Sequence, residues 1–289
     1  MIKKCVIPAA GYGTRFLPIT KSLPKEMLPI IDRPAIELIV EEAISSGISE
    51  IFIIISDNKK AILDYFGRNL ELEQFLKEKN QIEMLSLIEP KPNVKIHYIK
   101  QDEQLGLGHA ISCAETFIGD EPFAVLLGDD VYVNDDLPAI KQLIDLFKTY
   151  NSHILGTMEV ADSEVSSYGI CEKVNDNIGP VFELKNVVEK PSLENAPSRS
   201  AISGRYIFKP SIFKYLKEIS KGSNNEIQLT DAIVMSMKAE KVYSYDIIGT
   251  RYDIGSKFGY LKAIIDFSLN RTDLKADLLK YLKEKIVLY

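Results

Sequence analysis

Short runs of β-branched and other apolar residues alternate with helical patterns through the first half of this chain, and that rhythm constrains the fold more than any other feature. Residues 2–8 and 51–55 have the length and composition of buried strands, and residues 94–99 and 123–127 continue the series. Between them, residues 36–44 repeat apolar side chains at helical spacing, with Pro34 suited to the first turn and Gly47 to the end. Residues 58–66, 107–117 and 137–150 follow the same pattern. Strands alternating with helices predict a largely parallel sheet covered on both faces, an α/β architecture.

From about residue 153 the rhythm changes. Strand-like runs over 154–160, 181–188, 203–208 and 242–248, separated by turns, predict mixed or antiparallel additions to the sheet. Asn225 and Gln228 have the spacing of a capping box, which predicts a helix from Glu226. Residues 272–288 carry Leu274, Leu278, Leu282 and Ile286 at four-residue intervals among charges, the pattern of an amphipathic helix that packs on the body or on another subunit. With no internal repeat and no long Pro/Gly linker, residues 1–289 are read as a single domain, of a size that one α/β core can fill.

Composition narrows the class. Apolar residues make up 46% and charged residues 26%, and no apolar run approaches the ~18 residues of a membrane span, so a soluble protein without a membrane partner is expected. Met1-Ile2-Lys3-Lys4 and the short apolar run after it imitate a signal peptide, but glycine and charge return over 11–15, and the segment reads better as a first strand. Cys5, Cys113 and Cys171 are odd in number, far apart and without C-x-x-C spacing, which supports neither a disulfide framework nor a zinc site and suits a reducing cytoplasm. A formal charge of -6 without a broad basic stretch argues against nucleic acid as a partner, so anionic substrates must meet local cations.

The first strand runs into Ala9-Ala10-Gly11-Tyr12-Gly13-Thr14-Arg15, where small residues let the backbone approach a ligand and point amides at it. A dinucleotide loop would need a small residue where Phe16 stands and a helix directly after, which Pro18 and Pro24 prevent. Lys21-Ser22 is not preceded by glycine, so a P-loop is excluded too. A lone G-x-G is equally a tight turn; its continuation through Arg15, Pro18, Thr20, Lys25 and Pro29, a mostly non-helical cationic segment leaving a strand end, favours a phosphate ligand.

At this point the sequence resembles the sugar-nucleotide pyrophosphorylase family, and above all its bacterial UTP-glucose-1-phosphate uridylyltransferase branch. The matching stretches are residues 9–34 (AAGYGTRFLPITKSLPKEMLPIIDRP), 106–110 (GLGHA), Gly128-Asp129-Asp130, Tyr168-Gly169, 188–191 (VEKP), Gly204-Arg205-Tyr206, 226–231 (EIQLTD) and 251–255 (RYDIG), in the family's order. The resemblance implies a Rossmann-like three-layer α/β/α nucleotidyltransferase fold with a mixed central sheet and sugar-binding elements mainly in 153–260. It implies Mg²⁺-dependent transfer of a uridylyl group from UTP to glucose 1-phosphate, giving UDP-glucose and pyrophosphate, in a homodimer or homotetramer.

That reaction brings together anions of roughly -4 and -2, so it depends on neutralising charge and on in-line positioning, with no protein nucleophile needed. The resemblance assigns Arg15 to the triphosphate and the departing pyrophosphate, and Lys25 to the nucleotide phosphates as a point charge. Ala10, Gly11 and Gly13 offer nucleotide-binding backbone, with Glu26 beside them by analogy, while Gln101 and the Gly106 backbone read the uracil. Asp129 follows an apolar strand, where a hard cation would find oxygen ligands, and Asp253 is its partner by resemblance. Asp130 is left outside the metal set. Glu189 accepts from sugar hydroxyls, Lys190 meets the sugar's phosphate, and Gly169 leaves room for the sugar. His109 is expected to be packed or hydrogen-bonded rather than catalytic.

Taken singly, these residues also read as solvated surface charges, a turn-forming aspartate and a turn glycine. Residues 70–92 lengthen the path between the second and third strands, as in the uridylyltransferase branch, which favours UTP over dTTP. A glycosyltransferase of related fold, or a catalytically silent nucleotide-sugar sensor, stays open as an alternative; the first does not need Arg15 and Lys25, and the second does not need the whole phosphate machinery.

Overall fold

The first apolar run folds as β1 (Lys4–Pro8), with Cys5, Val6 and Ile7 fully buried. The computed structural model describes residues 2–134, 136–175, 179–220, 222 and 225–287. After β1, three short 3₁₀ turns (Thr14–Phe16, Ile19–Lys21 and Lys25–Met27) carry the chain over the strand end, because Pro18 and Pro24 deny it a continuous helix. A small hairpin, β2 (Pro29–Ile30) and β3 (Arg33–Pro34), leads into α1 (Ala35–Ser45). Then follow β4 (Glu50–Ile55), α2 (Lys60–Phe66), α3 (Leu70–Glu78), α4 (Ile82–Ile88) and β5 (Lys95–Lys100). Helices α3 and α4 are the insertion expected over 70–92.

Next come α5 (Leu107–Ser112), α6 (Glu115–Ile118), β6 (Phe123–Leu126), β7 (Asp130–Val133), α7 (Ala139–Tyr150) and β8 (His153–Glu159). The second half supplies β9 (Gly169–Lys173), β10 (Val181–Glu189), β11 (Ser200–Phe208), α8 (Ile212–Glu218), α9 (Leu229–Ser236), β12 (Val242–Asp246), β13 (Thr250–Asp253), α10 (Lys257–Asn270) and α11 (Lys275–Ile286).

The main sheet has the order β5-β4-β1-β6-β11-β8-β12-β10-β9. β5, β4, β1 and β6 run parallel, with Cys5 opposite Ile51 on one side and Ala124 on the other. β11 is antiparallel to both β6 and β8, which makes the sheet mixed. Apolar side chains of α1 and α7 (Ile36, Ile39, Val40, Leu143, Ile144) close one face. Those of α5, α6, α8 and α9 (Ile111, Ile118, Phe213, Leu216, Leu229, Ile233) close the other, giving the three α/β/α layers expected.

Three local readings of the sequence are corrected. The helix expected from Glu226 begins at Leu229, because the backbone of Ile227 is already committed to the 105–108 loop: its N–H donates to Leu105 O at 2.7 Å and its carbonyl accepts from Gly108 N at 2.9 Å. Gln228 accordingly bonds Glu226, not a cap at Asn225. The helix expected over 107–117 is broken into α5 and α6 around Cys113-Ala114. The tail helix spans Lys275–Ile286, and Leu288 lies outside the described residues.

Two features that place the site were not anticipated. β7 and β13 pair as a separate antiparallel ribbon with Asp253 opposite Asp130, and α10 follows directly. The β11–β8 register also shifts between Ile202 and Tyr206, where Gly204 takes φ +80° as in a bulge. A Cβ there would overlap the Asp130 carboxylate. Gly204→Ala is therefore expected to destabilise the fold by about 2–5 kcal/mol, about 1–2 from the left-handed backbone and about 1–3 from overpacking. Urea unfolding measures this; a wild-type midpoint would contradict it.

Candidate functional site

β1 connects towards β4 on one side while β6 lies on its other side, so the sheet changes winding direction between β1 and β6. Ligands of open α/β sheets bind at the carboxyl ends of strands at such a point. Two loops emerge there, 9–27 after β1 and 127–129 after β6, and they touch. A Cβ on Gly128 would stand 2.8 Å from the Pro8 carbonyl, so only glycine allows this approach.

A cleft of about 570 Å³ opens beside this junction, with Arg15, Asp129, Gly169, Glu189, Lys190 and Asp253 among its walls. A cavity of about 190 Å³ adjoins it, walled by Gly13, Arg15, Lys25, Asp129 and Gly255. Arg15 and Asp129 belong to both, so the two spaces form one continuous site for an extended ligand or for two ligands end to end.

The acidic centre is built by the ribbon. Ile254 N donates to the Asp129 carbonyl at 2.9 Å, and Gly255 N donates to Asp253 Oδ1 at 2.9 Å. These bonds set the two carboxylates face to face: Asp129 Oδ2 and Asp253 Oδ1 lie 2.8 and 3.0 Å from the point where a Cβ on Gly255 would stand. Glycine leaves that space open. Among the described residues no group of three or more His, Cys, Asp or Glu gathers. Two facing carboxylates suit an ion such as Mg²⁺, which takes one or two protein carboxylates and fills its other positions with phosphate and water.

Lys25 Nζ meets Asp129 Oδ2 at 2.6 Å. Burial works to raise the Asp129 pKa, but the charge and hydrogen bond of Lys25, with Arg251 behind, bring it below the ordinary carboxylate value. Burial works to lower the Lys25 pKa, and Asp129 and Glu26 more than reverse it, so both partners are held charged. Asp130 differs. Burial, reinforced by Asp129 and Asp253, pushes it up to about 7 against the pull of Arg251 and Arg205.

Across the cleft, Glu189 stands opposite Gly169 in the β9–β10 pair. Thr230 Oγ1 donates to Glu189 Oε2 at 2.6 Å, and Lys190 Nζ lies 3.5 Å from Glu189 Oε1. Lys190 takes φ +44°, a strained conformation for a side-chain-bearing residue, pinned by its N–H bond to Tyr168 O at 3.0 Å. A Cβ on Gly169 would sit 3.2 Å from Glu189 Oε2, so glycine keeps this wall clear.

The structure brings Gly13, Arg15, Lys25, Asp129, Gly169, Glu189, Lys190 and Asp253 together. Ala10, Gly11, Gln101, Gly106 and Glu26 do not line the two cavities. Ala10 O accepts from Ser56 Oγ at 2.9 Å and from Gln104 Nε2 at 3.0 Å, and Gly11 is exposed. Gln101 is buried, with Nε2 3.4 Å from Gly106 O and 3.0 Å from His109 Nδ1, the hydrogen-bonded setting expected of His109. Glu26 is fully buried and pairs with Lys59 at 2.8 Å, so its carboxylate supports the loop from beneath.

Arg251, Tyr168, Thr230 and Gln228 also line the cleft and were not singled out as site residues. Each lies inside a matched stretch, but no spacing shows that β13 turns Arg251 inward, where its Nη1 meets Tyr168 Oη at 3.2 Å.

Residues 4–268 match the family model described as nucleotidyl transferase. The chain is similar to the UTP-glucose-1-phosphate uridylyltransferase YngB of Bacillus subtilis, at 50% identity over 286 residues, covering 99% of this chain and 96% of that protein. Among solved structures it is similar to a UTP-bound UGPase from Acinetobacter baumannii, with TM-score 0.90, 37% identity and coverage of 98% and 99%. A UDP-glucose pyrophosphorylase complexed with UDP-glucose gives TM-score 0.83 and 44% identity, covering 94% of this chain and all of that one.

Because Lys25 and Asp129 are each mostly shielded, a double-mutant cycle with Lys25→Met and Asp129→Asn should give a coupling of about 1–2 kcal/mol in urea unfolding. A coupling below about 0.3 kcal/mol would show that the pair does not act as a unit.

Proposed function

The chain belongs to the nucleotidyl transferase family, within it to the bacterial UTP-glucose-1-phosphate uridylyltransferases, and on that premise we infer that it transfers a uridylyl group from UTP to glucose 1-phosphate, releasing pyrophosphate and UDP-glucose. The observation that carries this reading is the meeting of Arg15, Lys25, Asp129, Lys190 and Asp253 around two adjoining cavities. Such a site answers the main obstacle, the repulsion between a triphosphate and a sugar phosphate.

In this reading the smaller cavity takes the triphosphate, with Arg15 and Lys25 as its cations. The larger takes the sugar, with Glu189 accepting from hydroxyls and Lys190 meeting the sugar's phosphate. A phosphate oxygen of glucose 1-phosphate forms the new bond to the α-phosphorus of UTP, and the bond to the bridging oxygen of pyrophosphate breaks. Arg15 stabilises the charge that leaves. Asp129 and Asp253 would hold Mg²⁺, which supplies neutralising charge to the phosphoryl oxygens. Lys25 keeps Asp129 ionised and therefore fit to ligate. Thr230 fixes one oxygen of Glu189, and the other, beside Lys190 Nζ, is the one that meets the sugar. Ala10, Gly11, Gln101 and Gly106 lie along the base end of the nucleotide, and Glu26 acts through Lys59 and Lys25.

The chain works as one nucleotidyltransferase unit without a nucleic-acid or membrane partner; among the described residues no helix is long and apolar enough to cross a membrane. Its three cysteines are free, which suits the cytoplasm. Exposed Leu279, Tyr281 and Ile286 on the tail helix suit pairing in a homodimer or homotetramer.

Pyrophosphate release, measured for the common nucleoside triphosphates against several sugar 1-phosphates with and without Mg²⁺, tests this reading. UTP with glucose 1-phosphate should lead, and chelation should abolish turnover that Mg²⁺ restores. Asp129→Ala should lower kcat about 100-fold, the loss of about 3 kcal/mol of transition-state stabilisation. Lys190→Ala should raise KM for glucose 1-phosphate more than for UTP. Wild-type kinetics from either variant would overturn that residue's role.

A further inference from the structure

Behind the cleft lies a buried charge bridge that the reaction as written does not use. Arg205 on β11 is 0% exposed and Glu42 on α1 is almost as enclosed. Arg205 Nε donates to Glu42 Oε1 at 3.0 Å and Nη2 to Glu42 Oε2 at 2.7 Å. The same Nη2 donates to the backbone carbonyl of Asp130 at 2.7 Å. Glu42 Oε1 also accepts from Ile140 N at 2.9 Å, at the start of α7. The guanidinium lies over the Tyr132 ring, 5.0 Å from its centroid.

Stability is a poor explanation for this arrangement. Desolvating two charges offsets their attraction, and apolar residues of similar volume often serve a core as well or better. Arg205 Nη1, moreover, finds no hydrogen-bond acceptor among the described residues. What the bridge achieves is geometric: it ties α1, α7 and β11 to one carbonyl at the head of β7, one residue past Asp129. The Asp130 carboxylate is held separately, with Oδ1 paired to Arg251 Nη2 and Oδ2 packed against the Gly204 backbone. Different arginines thus hold the backbone and the side chain of Asp130, and Asp129 is left with one direction in which to point.

We infer that Arg205, seated by Glu42, is a positioning residue for the 127–131 turn: its grip on the Asp130 carbonyl sets the direction in which Asp129 faces Asp253. The inference rests on the reading above that Asp129 and Asp253 hold a divalent cation.

The test is binding of Mn²⁺ to the full-length protein, followed by loss of the free-ion electron paramagnetic resonance signal, for wild type, Asp129→Asn and the double variant Glu42→Leu/Arg205→Met. The double variant removes both charges together but frees the Ile140 N–H and the Asp130 carbonyl, so it should unfold cooperatively at a lower urea midpoint, stay folded without denaturant, and bind Mn²⁺ about tenfold or more weakly. If Asp129→Asn binds Mn²⁺ like wild type, the metal reading fails. If Asp129→Asn weakens binding and the folded double variant does not, the metal reading stands and the role of Arg205 is overturned. Hydrogen exchange of the wild type gives an answer even if the double variant does not fold. Residues 127–131 should be as protected before Mn²⁺ as after it; a turn that gains protection only with the ion would contradict a shape set by Arg205.

Discussion

Asp129, Asp130 and Asp253 are brought to one end of the sheet by a ribbon that sets Asp253 opposite Asp130, and three like charges so placed would repel one another if left alone. Cations from different elements answer two of these charges directly, Lys25 at Asp129 and Arg251 at Asp130, while Arg205, paired with Glu42, holds the Asp130 backbone. Lys25 comes from the loop after β1, Arg251 from β13 and Arg205 from β11. Removing Arg251 or Arg205 leaves a buried carboxylate, Asp130 or Glu42, uncompensated, which is far more damaging than losing the pair. The rest of the architecture can be read as what it takes to bring those three strands to one place.

The opposite wall of the cleft depends on a similar economy of position. β10 ends at Glu189, and the chain then turns through a left-handed Lys190, a conformation that costs about 1–3 kcal/mol and persists only because its surroundings hold it. The Tyr168 carbonyl, from the segment before β9, holds the Lys190 backbone, and the Thr230 hydroxyl, from α9, holds the Glu189 carboxylate beside it. Glu189 and Lys190 consequently face the cleft together, an acceptor beside a cation.

The first half of the fold was legible because parallel strands buried on both faces leave unmistakable apolar runs, and β1, β4, β5 and β6 lie within a residue or two of where those runs place them. The β7–β13 ribbon was not legible. Its strands are only four residues each, and their pairing joins segments about 120 residues apart, a contact that local pattern cannot encode. The capping signal at Asn225 failed for a related reason, since tertiary bonds to Ile227 outweighed a local preference. Among site residues, Arg15, Lys25, Asp129, Glu189, Lys190 and Asp253 were named through the family resemblance, whereas Arg251, equally charged, was not. Arg205 and Glu42 could not be named in advance, because a buried arginine and a helix glutamate look like surface residues until the fold encloses them.

In the proposed reaction, cations converging on a divalent ion allow one phosphate to attack another directly, with no covalent stage on the protein. The stereochemical course at the α-phosphorus tests this most directly, using UTP made chiral there by one sulfur in place of oxygen. A single in-line displacement predicts inversion of configuration in the UDP-glucose analogue. Retention would require two successive displacements, hence a protein nucleophile, and would contradict the account.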